Sequence, residues 1–261
     1  MISFPYFKQV IKSNFKFLCI FTLVLCVFIV AMTNVFTPDT MTDLQSAMSG
    51  TALKNILTGN GTLIGFMSNS FYALMAIIFP MVYSIMVGNR LIAEKIDKGN
   101  MAGFLSTPTT RLQITISSAV YFIVSLAFMW GIVSVVGIIT SHIVQPDALD
   151  IKTFLMLNLG VFLYHLVISG ICFCSSCIFN TSKHSLVFGA GIPLYFFVVS
   201  MFIKLSDNLD FLRYVTLNTL FDTKNILSGS GYGEKFLIMG ALAAMLYVAG
   251  IVWFQKKDLP L

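Results

Sequence analysis

Charged residues are scarce in this sequence. Asp, Glu, Lys and Arg make up 10% of its 261 residues, whereas apolar residues make up 57% and the mean hydropathy is +0.88. Soluble domains typically contain about 25% charged residues, so this composition excludes an ordinary soluble domain. We therefore expect an integral membrane protein.

The long apolar runs contain no charged residue. A helix needs about 20 apolar residues to cross the ~30 Å core of a bilayer, and six stretches are long enough. They lie at about residues 17–36, 64–88, 112–141, 153–179, 186–203 and 236–254. None of them contains Asp, Glu, Lys or Arg. We predict an all-α protein with six transmembrane helices, forming one transmembrane domain over residues 1–261.

This lack of charge also bears on the energy source. A carrier driven by protons or sodium usually needs an ionisable or cation-coordinating group near the membrane midplane. His165 is the only titratable imidazole in the middle of a span, and with Tyr164 and Ser169 it could line a translocation path. A structural hydrogen bond to a neighbouring helix is the preferred alternative. Transport driven by energy delivered from outside the membrane is therefore the better hypothesis. The alternatives are a secondary transporter, a channel or a non-transporting membrane scaffold.

Catalytic and metal-binding motifs are missing as well. The sequence contains no Walker motif, so ATP hydrolysis would belong to another chain, and no HExxH pair. The five cysteines all lie in apolar spans, and Cys172, Cys174 and Cys177 do not converge on one side of a helix. We therefore expect no catalytic residue, no metal site and no cofactor in this chain, and no nucleic-acid partner.

The basic residues that are present cluster on one side of the predicted topology. With the N-terminus in the cytoplasm, segments 1–16, 89–111, 180–185 and 255–261 lie on the same side and contain ten of the sixteen Lys and Arg residues. These are Lys8, Lys12, Lys16, Arg90, Lys95, Lys98, Arg111, Lys183, Lys256 and Lys257. Lys and Arg accumulate in cytoplasmic loops, so both termini are predicted to be cytoplasmic.

Residues 4–16 have a basic and apolar pattern of their own. Lys8, Lys12 and Lys16 recur every fourth residue, while aromatic and branched residues fill the other side of the helix. A helix of this kind lies at the boundary between lipid and water. We predict an N-terminal interfacial helix ahead of the first span.

The segment between the second and third spans, residues 90–111, is polar and partly basic. Glu94 and Lys98 are four residues apart, in the favourable order for an ion pair on a helix, and Gly99 should end that helix. Thr107 suits an N-cap and Pro108 the first helical position, so we expect the next helix to begin there.

A second short helix is predicted within this segment, from Met101 to Leu105. Met101, Phe104 and Leu105 would share one apolar face. Such a helix, held between two membrane spans, is suited to docking in a groove on another protein. A loop lying on lipid headgroups is the alternative that spacing alone leaves open.

Seven residues of this segment resemble the cytoplasmic loop of ABC-2 type transporter permeases. They are Glu94, Gly99, Leu105, Ser106, Pro108, Thr110 and Arg111. The sequence departs from the family at Asn100 and Met101, where Gly-Thr followed by Leu is more usual. The resemblance extends to the basic N-terminal helix, to the tail at residues 254–261 and to an apolar outer segment between spans five and six. That outer segment contains Phe211, Leu212, Tyr214, Val215, Leu217, Leu220 and Phe221.

The resemblance implies a fold and a set of partners. The fold would include a cytoplasmic coupling helix and re-entrant outer helices between spans five and six. The partners would be two copies of a cytosolic ATP-binding cassette subunit, which hold ATP and Mg, a second permease subunit in a homodimer or heterodimer, and membrane lipid. The coupling helix would contact the ATPase. The implied interface residues are Glu94, Lys98, Met101, Phe104, Leu105, Pro108 and Arg111.

The resemblance also implies an activity. The chain would be the permease subunit of an ATP-driven exporter in a bacterial plasma membrane, without enzymatic activity of its own. A hydrophobic or amphipathic substrate fits the apolar interior suggested by 25 Phe and 14 Met residues. A peptide toxin or antimicrobial peptide is the first candidate, and a lipophilic drug is the second.

Overall fold

Six helical spans dominate the computed structural model, which describes residues 3–36, 62–106, 108–205 and 216–258. Within these ranges the chain is helical and contains no strand. Six helices are long and apolar enough to cross a membrane. They are Phe4–Val35, Leu63–Asp97, Arg111–Val144, Ile151–Ile178, Ser182–Ile203 and Gly233–Lys256. The prediction of an all-α architecture with six spans is confirmed.

The helices are numbered in chain order. They are α1 (Phe4–Val35), α2 (Leu63–Ser70), α3 (Ala76–Leu91), α4 (Ala93–Asp97), α5 (Asn100–Leu105), α6 (Arg111–Val144), α7 (Ile151–Ile178), α8 (Ser182–Leu205), α9 (Thr223–Leu227) and α10 (Gly233–Lys256). A π-helical segment, Phe71–Met75, joins α2 to α3. The second span therefore consists of α2, this segment, α3 and α4.

The N-terminal segment is not a separate interfacial helix. Residues 4–16 and the first span form the single helix α1, whose 32 residues extend about 48 Å at 1.5 Å per residue. No Gly or Pro interrupts the junction, so nothing in the sequence breaks the helix there. Lys8, Lys12 and Lys16 are exposed. The prediction of a basic, exposed face was right, and the predicted break before the first span was wrong.

The helix that forms the third span begins three residues later than the start predicted at Pro108. Helix α6 starts at Arg111, and Thr110 is its N-cap. The Thr110 hydroxyl accepts a hydrogen bond from the Gln113 backbone N–H, and the Gln113 side chain accepts one from the Thr110 N–H. This capping box satisfies two otherwise unpaired donors. Pro108 lies in a turn before the helix, and Thr107, the predicted cap, lies outside the described residues.

Helix α7 is the central helix of the bundle. In its most apolar 18 residues 72% are buried, against 17% in α8 and 22% in α1. Glycines allow neighbouring helices to approach α7 closely, as is common between membrane helices. A Cβ atom added at Gly88 of α3 would lie 2.6 Å from Cys172 Cβ, and one at Gly137 of α6 would lie 2.6 Å from Phe154 Cζ.

The segment between spans five and six packs back onto the bundle. After a 3₁₀ turn at Leu217–Thr219, Asp222 caps α9 and accepts a 2.9 Å hydrogen bond from Lys235 of α10. Phe221 is buried against Tyr72 and Tyr164. Of the other predicted members of this apolar patch, Leu217 and Leu220 are partly buried, and those from Phe211 to Val215 lie outside the described residues. Entry of this segment into the outer leaflet stays a prediction.

The four segments predicted to be cytoplasmic meet at one end of the bundle, which we call the N-terminal end. Asp97 of α4 accepts a hydrogen bond from the Ser182 backbone N–H at the start of α8. Arg111 of α6 donates a 2.7 Å hydrogen bond to the Lys257 carbonyl just after α10. The described parts of these segments therefore lie on one side of the bundle, as the predicted topology requires.

The orientation of this bundle can be measured by cysteine labelling in intact cells. Ser228→Cys, at the opposite end, should react with a membrane-impermeant maleimide, and Lys98→Cys, at the N-terminal end, should react only after the membrane is permeabilised. The parent protein is the background control, because its five cysteines all lie within the spans. Labelling of Lys98→Cys in intact cells would reverse the orientation.

The close approach of α3 and α7 predicts a loss of stability when Gly88 is enlarged. Gly88→Ala should lower the free energy of unfolding by about 1–3 kcal/mol, because the added methyl overpacks against Cys172. The measurement is thermal unfolding in detergent. Gly131→Ala in α6 is the matched control, since nothing lies within 4 Å of its added Cβ. Equal melting temperatures for the two variants would contradict the packing.

Candidate functional site

Tyr6 of α1 connects several helices at the N-terminal end. Its side chain is 4% exposed. Its hydroxyl accepts a 2.8 Å hydrogen bond from Lys95 Nζ and lies 3.1 Å from Ser118 Oγ of α6 and 3.4 Å from the Leu91 carbonyl of α3. The Phe104 ring of α5 meets the Tyr6 ring edge-on, with centroids 5.3 Å apart. One phenol therefore contacts four other elements.

Lys95 lies between two aromatic rings. Its ammonium is 4.5 Å from the Tyr6 centroid and 5.5 Å from the Phe104 centroid. A cation over a ring face is attracted by the ring quadrupole, by about 0.5–2 kcal/mol depending on desolvation. Lys95 thereby holds α4, α5 and the beginning of α1 together.

The corner between α4 and α5 has the predicted local structure. Gly99 separates the two helices with φ +70, a left-handed conformation that favours glycine. Glu94 and Lys98 form the predicted pair, 2.6 Å apart, and Arg90 Nε lies 3.9 Å from the same carboxylate. These groups are partly exposed, so each pair contributes only ~0–1 kcal/mol.

The predicted docking face of α5 is used largely within the chain. Met101 is completely buried in the hydrophobic core, and Phe104 is half-buried against Tyr6. The side chain of Leu105 lies outside the described residues. A short helix cannot be stable alone, and its apolar stripe is the part available to attach it to the bundle. The exposed residues described between Asp97 and Pro108 are Asp97, Lys98, Gly99, Asn100, Ala102, Gly103, Ser106 and Pro108.

Hydrogen bonds attach α4 and the end of α3 to the fourth and fifth spans, α7 and α8. The Ala93 N–H donates a 2.8 Å hydrogen bond to Ser176 Oγ of α7. Asp97 accepts from the Ser182 N–H at 3.2 Å, and Asn89 Nδ2 lies 3.4 Å from Ser182 Oγ. The corner is therefore joined to α7 and α8 as well as to α1, α3 and α6.

Arg111 closes the N-terminal end from the opposite side. Arg111 was predicted to lie at the ATPase interface, and its guanidinium donates a hydrogen bond to the Lys257 carbonyl. The Lys257 ammonium donates a 3.0 Å hydrogen bond to the Cys177 carbonyl at the end of α7. Burial lowers the pKa of Lys257 to about 8. These two hydrogen bonds tie the end of α10 to α6 and α7.

A groove runs between the beginning of α1 and the α4–α5 corner. Its volume is about 770 Å³. Tyr6, Gln9 and Ser13 line the α1 side, and Arg90, Lys95 and Phe104 line the other side. The groove combines aromatic walls with cationic groups.

The three residues predicted for a translocation path engage three different neighbours. His165 is completely buried, with Nδ1 2.7 Å from the Val161 carbonyl and Nε2 3.2 Å from the Ile77 carbonyl of α3. Ser169 Oγ lies 2.7 Å from the Tyr247 hydroxyl of α10. Tyr164 donates to Asn218 after span five. This arrangement favours the structural interpretation of His165, since each group holds a helix–helix or helix–loop contact.

The comparison with known families covers nearly the entire chain. The family model described as ABC-2 family transporter protein matches residues 7–259. The chain belongs to the ABC-2 transporter permeases. No curated protein matches the sequence. This permease is therefore a membrane transport subunit of a generally non-enzymatic family whose members associate with an ATP-binding cassette subunit.

Sequence reasoning missed the residues that hold the permease's α4–α5 corner in place. Tyr6 was assigned to the apolar side of an interfacial helix, and no role was assigned to Ser118 or Ser176. A signal for Tyr6 was present, because it belongs to a stripe repeating every fourth residue on the side of α1 away from the lysines. The serines had no signal, since a hydroxyl in a span usually bonds to its own helix.

The contacts of His165 predict how the permease responds to substitution there. A neutral imidazole can donate only one hydrogen bond, and Gln also supplies one donor group and an acceptor. His165→Gln should therefore keep both the melting temperature and transport, whereas His165→Leu should lose about 1 kcal/mol of stability. The checks are thermal unfolding and ATP hydrolysis with the cassette subunit. A folded but inactive His165→Gln would favour a role in the transport pathway.

Proposed function

We propose that this permease exports a hydrophobic or amphipathic substrate, using ATP hydrolysed by cassette subunits docked at the α4–α5 corner. The observation that carries the proposal is the direct attachment of this corner to the first, fourth and fifth spans, in a chain that belongs to the ABC-2 permeases. The permease would lie in a bacterial plasma membrane with both termini in the cytoplasm. Two cassette subunits, which bind ATP and Mg, would serve a pair of permease subunits.

The attachment of the corner supports its role in coupling. A displacement of α5 would be transmitted to α1 through Phe104 and Tyr6, because those rings are in contact. It would reach α7 and α8 through Ala93 and Asp97, whose hydrogen bonds cross to those helices. Packed interiors have low compressibility, so a displacement at this corner shifts whole helices. Energy supplied in the cytoplasm could thus rearrange the spans.

The exposed side of α5 is the surface that we assign to the ATPase. Ala102 and Ser106 are four residues apart and both are exposed, so they lie on the same side of the helix. Gly103 lies beside them and is also exposed. Small side chains let the backbone of a partner approach closely. In this arrangement Met101 and Phe104 attach α5 to the permease, while Ala102 and Ser106 meet the cassette subunit.

The interior of the bundle supports an apolar or amphipathic substrate. Fully buried aromatic and sulfur-containing side chains occur on the second, third and fourth spans. Examples are Met67, Phe71, Tyr72, Phe122, Met129 and Phe154. Methionine adapts to ligands of irregular shape. Amphipathic peptides are the first candidate substrates and lipophilic drugs the second, and stimulation of ATP hydrolysis in the reconstituted complex would distinguish them.

A single substitution tests the assigned docking surface. Ala102→Glu should weaken association with the cassette subunit by about 2–4 kcal/mol, because an unpaired charge would be buried at the contact. The fold should be kept, since Glu is a good helix former on an exposed position. The measurement is the amount of cassette ATPase, with its ATP hydrolysis, that co-purifies with tagged permease from membranes of the source organism.

Ala148→Glu is the matched control for this test. Ala148 is also exposed but lies in the turn between α6 and α7, at the opposite end of the bundle. This variant should bind the ATPase as well as the unmodified permease does. Full ATPase binding and coupled hydrolysis by Ala102→Glu would remove the exposed side of α5 from the interface.

A further inference from the structure

The groove beside Tyr6 carries more positive than negative charge. Three cations line it, Arg90, Lys95 and Lys98, against the single carboxylate of Glu94. That carboxylate already pairs with Arg90 and Lys98. Lys95 makes no ion pair with any described residue, and its ammonium is held by the Tyr6 hydroxyl and two ring faces. The groove therefore presents a cation whose partners in the chain are all neutral.

The position of the groove along the spans places it where lipid headgroups lie. Arg90 comes directly after the long apolar run of the second span, and its guanidinium lies 4.6 Å from the centroid of the Phe17 ring on α1. Basic residues with apolar stems are typical of this boundary. The exposed Lys8, Lys12 and Lys16 lie along the same helix as the groove residues Gln9 and Ser13.

We propose that this groove binds the phosphate-bearing headgroup of an anionic phospholipid. Lys95 and Arg90 supply the charge-assisted contacts to the phosphate, and Gln9 and Ser13, which line the α1 side, supply hydrogen-bond donors for the remaining headgroup oxygens. The Tyr6 and Phe104 rings form apolar walls beside them. The lipid joins α1 to the α4–α5 corner, and its binding does not require the ATPase to be present.

The observations favour a lipid over an acidic segment of the cassette subunit. The groove lies on the side of the corner where Phe104 meets α1, whereas Ala102 and Ser106, which we assign to the ATPase, do not line it. The neighbouring lysines of α1 attract anionic lipid by about 1 kcal/mol each. A lipid headgroup is therefore concentrated beside the groove before any partner arrives.

Lipid binding can be measured on the purified permease alone. The probes are phosphatidylglycerol, phosphatidylcholine and inorganic phosphate, added to delipidated permease in neutral detergent. Phosphatidylglycerol should raise the melting temperature and remain bound in native mass spectrometry, while the other two should do neither. Lys95→Gln and Arg90→Gln should each bind phosphatidylglycerol about tenfold more weakly, the loss expected for one charge-assisted contact.

Lys152→Gln is the matched control, because it removes an exposed cation at the opposite end of the bundle, away from the groove and from the lysines of α1. Arg90→Gln keeps the test valid if Lys95→Gln folds poorly, since Lys95 also bonds to Tyr6. Equal binding by both groove variants and the unmodified permease would overturn the proposal, as would equal binding of phosphatidylcholine. A full shift with inorganic phosphate alone would reassign the site to a soluble anion. Loss of ATPase association without loss of lipid binding in the groove variants would reassign it to the partner.

Discussion

In the hydrocarbon part of a membrane, a polar side chain can find hydrogen-bond partners only within the protein. Most polar residues in the middle of these spans meet this constraint within their own helix. Thr22 donates to the Leu18 carbonyl, Thr33 to the Ile29 carbonyl and Asn158 to the Phe154 carbonyl, each four residues back. Such bonds bring no helices together, so the middle of the bundle depends mainly on shape and close packing, with a few crossings such as those of His165 and Ser169.

Contacts between helices through polar groups are concentrated instead near the two ends. At the N-terminal end, Tyr6, Asp97 and Arg111 each join different helices. At the opposite end, Asn218 accepts from Tyr164 and donates to Ser200, which joins α7 and α8 to the segment after span five. A bundle with most of its polar crossings near its ends and only a few in its middle, such as His165 to Ile77 and Ser169 to Tyr247, can tilt or slide while breaking few polar contacts there. That property suits a transport subunit.

The sequence predicted those features that depend on composition and local spacing. The six spans follow from hydropathy, the Glu94–Lys98 pair from its spacing and the break at Gly99 from glycine's freedom at positive φ. The predicted start of the next helix at Pro108 was wrong, although the Thr110 to Gln113 spacing of a capping box is present in the sequence.

Other features could not be predicted from the sequence because they depend on tertiary contacts. The apolar stripe of α5 was recognised, but the sequence does not say whether Met101 packs within the chain or against a partner. Likewise, the amphipathic pattern of residues 4–16 suits both a separate interfacial helix and the first turns of a longer one. The stripe of buried residues that continues from Tyr6 and Val10 to Ile29 distinguishes the single long helix from a separate interfacial helix. This stripe becomes evident only when α6 is packed against α1.

The shortness of α5 has a thermodynamic consequence for coupling. A six-residue helix is unstable in isolation, so its conformation is maintained by Met101 in the core and by Phe104 against Tyr6. If the spans rearrange and Tyr6 moves, the surface that α5 presents must change with it. By linkage, a partner that binds one form of α5 favours the matching arrangement of the spans, and the spans in turn alter that partner's affinity to the same degree. Any group bound in the groove beside Lys95 and Tyr6 enters the same equilibrium. It would contact both α1 and the α4–α5 corner, and the coupling passes through the contact between them.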